Sequence, residues 1–206
     1  MKALRETGEY IEKVMPRLHS FADRYELLAF ALARARMKSG VCCEFGVGDG
    51  STVNFLASLL KDETVYGFDS FEGLPEDWRD GYRKGHFLAR CPRVRPNVQL
   101  VVGRFKDTVP AFATQHPQPI KFVHMDCDLY SSTRAVLTGL SDSIVPGTVI
   151  VFDEYFNYPG WKDGEFRAFQ EFVQARGLRY EYLGYCRYAE QVALVVQPDE
   201  VQKGSC

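Results

Sequence analysis

The 206-residue chain has no run of about 18 apolar residues, no internal repeat, no low-complexity tract and almost no net charge. Without such a run there is no candidate transmembrane helix. Twenty-five Lys and Arg against 27 Asp and Glu leave a formal charge of -2, so nothing electrostatic points to a nucleic-acid backbone as partner. The opening MKALRETGEYIEKVMPRLHS carries acids throughout and lacks the apolar core of a secretory leader. Six cysteines (Cys42, Cys43, Cys91, Cys127, Cys186, Cys206) show no CxxC spacing. Cys42 and Cys43, as neighbours on a strand, would face opposite sides of a sheet. Reduced, mostly buried thiols are therefore expected rather than disulfides or zinc ligands. The expectation is a cytoplasmic protein with neither nucleic acid nor membrane as partner. Its length and 46% hydrophobic content suit one domain over 1–206.

What is present is a regular beat. Residues 21–38 place Leu27, Leu28, Phe30, Ala31 and Leu32 on a helical period, with a basic last turn before Ser39-Gly40, which closes an N-terminal helical segment at 1–40. Short apolar runs at 41–45, 64–69, 97–103, 120–126 and 147–154 then alternate with helical patterns at 51–60, 132–144 and 164–177. Strands alternating with helices predict a parallel sheet covered on both faces. The tail carries two β-rich runs, LRYEYLGY and QVALVVQ, which predict a hairpin adding an antiparallel strand at the end of the sheet. Residues 1–20 and 70–96 fall outside the beat.

Ligands of open parallel sheets sit beyond the carboxyl ends of the strands. Here those ends carry Glu44, Asp69-Ser70, Gly103-Arg104, Asp126-Cys127-Asp128 and Asp153-Glu154, so acids cap four of five. After the first strand comes GVGDGST, with Gly46, Gly48 and Gly50. Glycines let backbone approach a ligand closely, although a tight strand-to-helix turn also uses them with no ligand. Asp69 ends the next strand, where a carboxylate can accept hydrogen bonds from a ribose diol, which implies an adenosyl ligand. Acids at 44 and 49 disfavour a pyrophosphate and suit a ligand with a cationic centre and an ammonium group. S-adenosylmethionine fits that description.

EFGVGDGST, YGFDSFEGLPEDW, HMDCDLYSST and VIVFDEYFNYPGW, in this order, resemble the class I S-adenosylmethionine-dependent methyltransferases. The likeness is to the metal-dependent O-methyltransferases of the macrocin and mycinamicin type, over roughly residues 22–197. It implies a Rossmann-like α/β fold with a seven-stranded, mostly parallel sheet, an antiparallel last strand and helices on both faces. It implies methyl transfer to a hydroxyl of a small sugar-containing or natural-product acceptor. Transfer to nitrogen or carbon, or a non-catalytic S-adenosylmethionine-binding domain, are the alternatives. The resemblance puts the methionine part of the donor on Glu44, Gly46 and Gly48, with Ser51 and Thr52 at the helix start. The ribose falls to Asp69, with Ser70 and Phe71 beside the adenine and Gly103, Arg104 and Phe105 walling it. Asp126, Asp153 and Glu154 match ligands of a divalent cation, Mg²⁺ by the hardness of their oxygens. Relatives commonly show Asp-Asp where this chain has Asp153-Glu154, one methylene longer at the second position.

Asp126 is the expected general base, with Asp153 beside it, because each ends an apolar run where a carboxylate needs a partner. Asp128, three residues before Ser131, reads better as a helix cap. His86 is a candidate second base or acceptor contact, against the reading of a solvated loop histidine. The aromatics of YFNYPGW (155–161) suit either an acceptor ring or packing. The stretch 71–96 is expected to be a substrate lid, with Arg79, Arg83 and Lys84 either meeting an anionic acceptor or forming a solvated face. The resemblance is also compatible with a homodimer.

Overall fold

The beat read from the apolar runs is realised in a computed structural model, which describes residues 2–198. The central strands are β2 (Val41–Phe45), β3 (Val65–Asp69), β4 (Val98–Val102), β5 (Ile120–Met125) and β6 (Val149–Phe152). They alternate with α3 (Ser51–Leu59), α4 (Phe105–Gln115), α5 (Tyr130–Gly139) and α6 (Glu165–Arg176). Ahead of them come α1 (Lys2–Val14), β1 (His19–Phe21) and α2 (Arg24–Leu32), and behind them β7 (Arg179–Cys186) and β8 (Val192–Gln197). The sheet order is β1-β7-β8-β6-β5-β2-β3-β4.

The fold class is the expected one, with three differences of detail. The sheet has eight strands rather than seven, because His19–Phe21 pairs in parallel with β7. Three residues are too few to display a period. The tail hairpin extends the sheet beyond β6 as expected, but in reversed order: β8 inserts between β6 and β7, antiparallel to both. The helix expected over 21–38 is confined to Arg24–Leu32, opened by Asp23, whose carboxylate accepts the Tyr25 and Glu26 amides.

Alternation along β2 divides the core as the pleat requires. Cys43 and Phe45 join an apolar cluster with residues of α4, α5 and α6, while Cys42 joins the opposite cluster with residues of α2 and α3. Cys42, Cys43, Cys127 and Cys186 are free and buried, and Cys91 is free and exposed. Cys206 lies outside the described residues. No helix among the described residues is long and apolar enough to cross a membrane.

Residues 70–97 contain no helix or strand, yet they are ordered by hydrogen bonds. Leu74 and Gly85 close a hairpin-like loop through Leu74 N–H to His86 O and Gly85 N–H to Leu74 O. Outward tethers run from Arg79 to Glu190, from Ser131 to Glu76 and from Arg104 to Glu72.

Candidate active site

The three glycines of the turn after β2 serve three purposes. A Cβ on Gly46 would collide with the Asp126 carbonyl, so that glycine permits β2 and β5 to close on each other. Gly50 (φ +84) backs onto Pro92. Gly48 (φ +53) has nothing within 4 Å of its missing Cβ, and it lines a cavity of about 1070 Å³. Only Gly48 is thus left bare for something that enters from outside.

Asp69 determines what the turn can bind. Its Oδ2 accepts the Val47 and Gly48 amides at 2.9 and 2.8 Å, and its Oδ1 accepts the Phe71 amide at 2.7 Å. The amides that would make an anion nest are therefore consumed by the protein's own carboxylate. Asp49 likewise accepts the Ser51 amide at 2.9 Å. A carboxylate has about four lone-pair sites, so Asp69 retains acceptor capacity on its cavity side.

The cavity brings together most of the residues expected from the sequence. Gly46, Gly48, Ser51 and Thr52 line it, together with Asp69, Ser70, Gly103, Arg104, Phe105, Asp126, Asp153 and Glu154. Three expected residues are not on its wall. Phe71 packs into the α2–α3 side of the core. His86 is exposed on the insert, with its ring against Tyr82 and Phe87. Glu44 is fully buried beneath the turn, accepting from Thr52 Oγ1 at 3.0 Å and paired with His124 Nδ1 at 2.9 Å. Glu44 lies two positions after Cys42 on the strand, so its side chain enters the same core face rather than the ligand space.

His124 and Arg24 carry the electrostatics that the sequence did not disclose. The second nitrogen of His124 lies 3.3 Å from Asp153 Oδ1, while Asp153 Oδ2 receives Gln191 Nε2 at 3.0 Å and Arg24 Nη1 at 3.3 Å. Burial alone would raise the Asp153 carboxyl, but hydrogen bonding to His124 and the charges of His124 and Arg24 outweigh it and hold it below the usual range. Burial would lower His124, yet its bonds to Asp153 and Glu44 push it well above the ordinary imidazole value. Asp153 therefore already has cationic partners.

The unrelieved charge lies one step away. Asp126, Asp128 and Glu154 offer carboxylate oxygens within 4.8 Å of one another. Burial first, and then repulsion from neighbouring acids, pushes Asp126 and Glu154 well above the usual carboxylate range and Asp128 up to about 7. Glu154 Oε2 is buried without a hydrogen-bond partner among the described residues. Asp128 belongs to this cluster rather than to a helix cap, since no side-chain cap bond opens α5. It sits at φ +60, a left-handed conformation that Asp tolerates better than most residues. Behind the cluster, the buried Glu165 accepts the Cys127 and Glu154 amides, each at 3.1 Å, and so ties the ends of β5 and β6 together.

The aromatic run after Glu154 is packing. Tyr155, Phe156, Tyr158 and Trp161 are all buried, and Tyr155 and Trp161 each meet Phe166 edge-on. Arg79 lies over the Trp78 ring at 4.0 Å and the Tyr158 ring at 4.8 Å while both Glu190 oxygens take its Nη1 at 2.9 Å. Arg83 and Lys84 remain on the exposed side of the insert.

A family model described as a methyltransferase domain matches residues 43–155, more than half of the chain. The chain belongs to this methyltransferase family. Among its relatives, the chain is 32% identical over 156 residues to demethyldecarbamoylnovobiocin O-methyltransferase of Streptomyces niveus, covering 63% of this chain and 58% of that protein. It is 28% identical over 141 residues to a Streptomyces olivaceus protein named 8-demethyl-8-(2,3-dimethoxy-alpha-L-rhamnosyl)-tetracenomycin-C 4'-O-methyltransferase, covering 56% and 53%. The chain thus spans little more than half the length of these curated relatives. A crystal structure of a calicheamicin methyltransferase superposes with a TM-score of 0.68 at 24% identity, over 86% of this chain and 82% of that one, which establishes the shared fold.

Proposed function

We propose that this methyltransferase moves a methyl group from S-adenosylmethionine to a hydroxyl of a small sugar-containing or natural-product acceptor, assisted by a divalent cation such as Mg²⁺. The observation that carries the reading is that one cavity is lined both by bare Gly48 and Asp69 and by the cluster of Asp126, Asp128 and Glu154. The names of the relatives, O-methyltransferases of a novobiocin precursor and of a rhamnosyl tetracenomycin, support the choice of oxygen and of acceptor class.

The donor supplies an electrophilic methyl on a cationic sulfur. Gly48 leaves room for its methionine end, and Thr52 and Ser51 border that space. Asp69, held rigid by three amides, presents its remaining lone pair, on Oδ1, to a ribose hydroxyl. Gly103 and Phe105 border the adenine end.

The acid cluster fits a hard cation. All its donors are carboxylate oxygens, one of them is an orphaned buried atom, and their mutual repulsion is what a cation relieves. Asp126, Asp128 and Glu154 would hold it, and when bound it would supply Lewis acidity toward the acceptor oxygen. Asp153 is fixed by His124, Gln191 and Arg24, and its role is to keep Arg24 and the floor of the site in position. Asp126, the member of the cluster next to Gly46 of the turn, takes the acceptor's proton at its carboxylate.

The test is release of S-adenosylhomocysteine from a panel of glycosylated acceptors, with and without chelator. Turnover should fall with chelator, return on addition of Mg²⁺ and be lost in Asp126→Asn. Turnover indifferent to both treatments would overturn the roles of cation and base.

A further inference from the structure

Arg24 opens α2, and its side chain, 42% exposed, reaches the cavity beside the glycine turn. Its recorded partners use only Nη1, at 3.3 Å from Asp153 Oδ2 and 3.8 Å from Asp126 Oδ2. Two other cations line the cavity. Arg104 is held by Glu72 through Nε and Nη2, at 3.1 and 2.7 Å, and Lys106 follows it on α4.

We propose that Arg24 is the clamp for the α-carboxylate of the methyl donor, and this rests on the reading of the cavity as an S-adenosylmethionine site. The methionine end of that donor carries an ammonium and a carboxylate, and the turn is prepared for only one of them. Asp49 lies in it and Glu44 beneath it, which favours the ammonium and repels the carboxylate. The Val47, Gly48 and Ser51 amides, which could otherwise receive an anion, are taken by Asp69 and Asp49. A carboxylate placed against Gly48 therefore needs a cation from outside the turn, and Arg24 supplies one: it lines the same cavity, and its neighbour Tyr25 packs edge-on against Phe55 of α3, the helix that the turn opens. A guanidinium offers five N–H donors in a planar fork, so Arg24 can keep Asp153 on Nη1 while its remaining edge takes a second carboxylate in the bidentate manner. The consequence is discrimination: the site reads the amino-acid end of the donor, not merely its nucleoside.

Calorimetric titration of the purified full chain with two nucleosides tests this without any acceptor. The probes are S-adenosylhomocysteine and its decarboxylated counterpart, which differ only in the carboxylate. Wild type should bind S-adenosylhomocysteine at least about tenfold more tightly, in line with a charge-assisted hydrogen bond. In Arg24→Gln that preference should disappear through weaker binding of S-adenosylhomocysteine alone, and Arg24→Lys should retain part of it. Equal affinities in wild type, or equal weakening of both probes in Arg24→Gln with its melting temperature unchanged, would overturn the clamp while leaving the donor site intact. If Arg24→Gln does not fold, the wild-type comparison alone decides. Failure of either nucleoside to bind wild type would overturn the donor reading itself.

Discussion

The imidazole of His124 and the carboxylate of Glu44 form a sealed pair, 2.9 Å from Nδ1 to Oε2, with both side chains wholly out of solvent. Because His124 also reaches Asp153, it joins the floor beneath the glycine turn to the acid end of the cavity. Replacing His124 with Leu strands two buried carboxylates. We expect a loss of about 3–5 kcal/mol in urea denaturation, the usual consequence of removing one member of a buried pair. The double variant with Glu44→Leu should recover part of that loss, and strictly additive losses would show the two residues to be uncoupled.

Gly46 and Gly48 should respond oppositely to alanine. In Gly46→Ala the new Cβ meets the Asp126 carbonyl, so thermal unfolding should show a loss above about 2 kcal/mol. In Gly48→Ala the Cβ enters open space, and only the left-handed backbone conformation is penalised, by about 1 kcal/mol. Gly48→Ala should nonetheless weaken S-adenosylhomocysteine binding about tenfold. Undiminished affinity would mean that no ligand lies against that glycine.

Asp126→Asn should lower kcat at least about a hundredfold, the range for losing a proton acceptor, with S-adenosylhomocysteine affinity changed only a few-fold. Its Mn²⁺ affinity, read by electron paramagnetic resonance, should also fall. The same measurement on Asp128→Asn tests whether that residue shares the cation or merely shapes the turn.

Thiol chemistry supplies a pH-dependent prediction. Burial pushes the Cys42 and Cys186 thiols up to about 12, and Cys43 and Cys127 well above their ordinary value. A raised pKa keeps the thiol neutral as pH rises, and alkylation requires the thiolate. Between pH 7 and 9, iodoacetamide should therefore leave those four unmodified while the exposed Cys91 is labelled, as peptide mass mapping would show. Labelling of Cys42 in the native protein would contradict the packing of β2.

Arg79 pins the insert through Glu190 and the faces of Trp78 and Tyr158. Arg79→Ala should increase proteolytic cleavage within 73–89 several-fold with a melting temperature lowered by only a few degrees. It should raise the KM for acceptor more than that for donor, because the insert that it holds lines the cavity through residues 73–75 and 87–89. An unchanged cleavage pattern would show that the other tethers suffice.

The alternation of apolar runs made the order of strands and helices legible, as did the acids closing those runs, since both signals lie within short segments. The glycine turn was legible as a position but not as a mechanism. That Gly46 serves the approach of β2 to β5 depends on Asp126, eighty residues later in the chain. Asp128 read as a helix cap because spacing alone cannot distinguish a cap from a carboxylate turned toward Asp126 and Glu154. Glu44 read as a ligand contact because its neighbours are ligand-facing, whereas the pleat sends it inward to His124. Nothing local distinguished Arg24 from the other arginines of its helical stretch.

By itself, then, the sequence determined the local periods, the places where the chain must turn and the reservoir of acids at one edge. Side-chain size and backbone freedom act over a few residues and leave their mark in the order of letters. Only the tertiary structure decided the insertion of β8 between β6 and β7, the surrender of the turn's amides to Asp69, and the meeting of Arg24 with Asp153. Those pairings join residues about 20 to more than 120 positions apart, and their free energy exists only once the sheet has closed and excluded the water that would otherwise satisfy each partner separately.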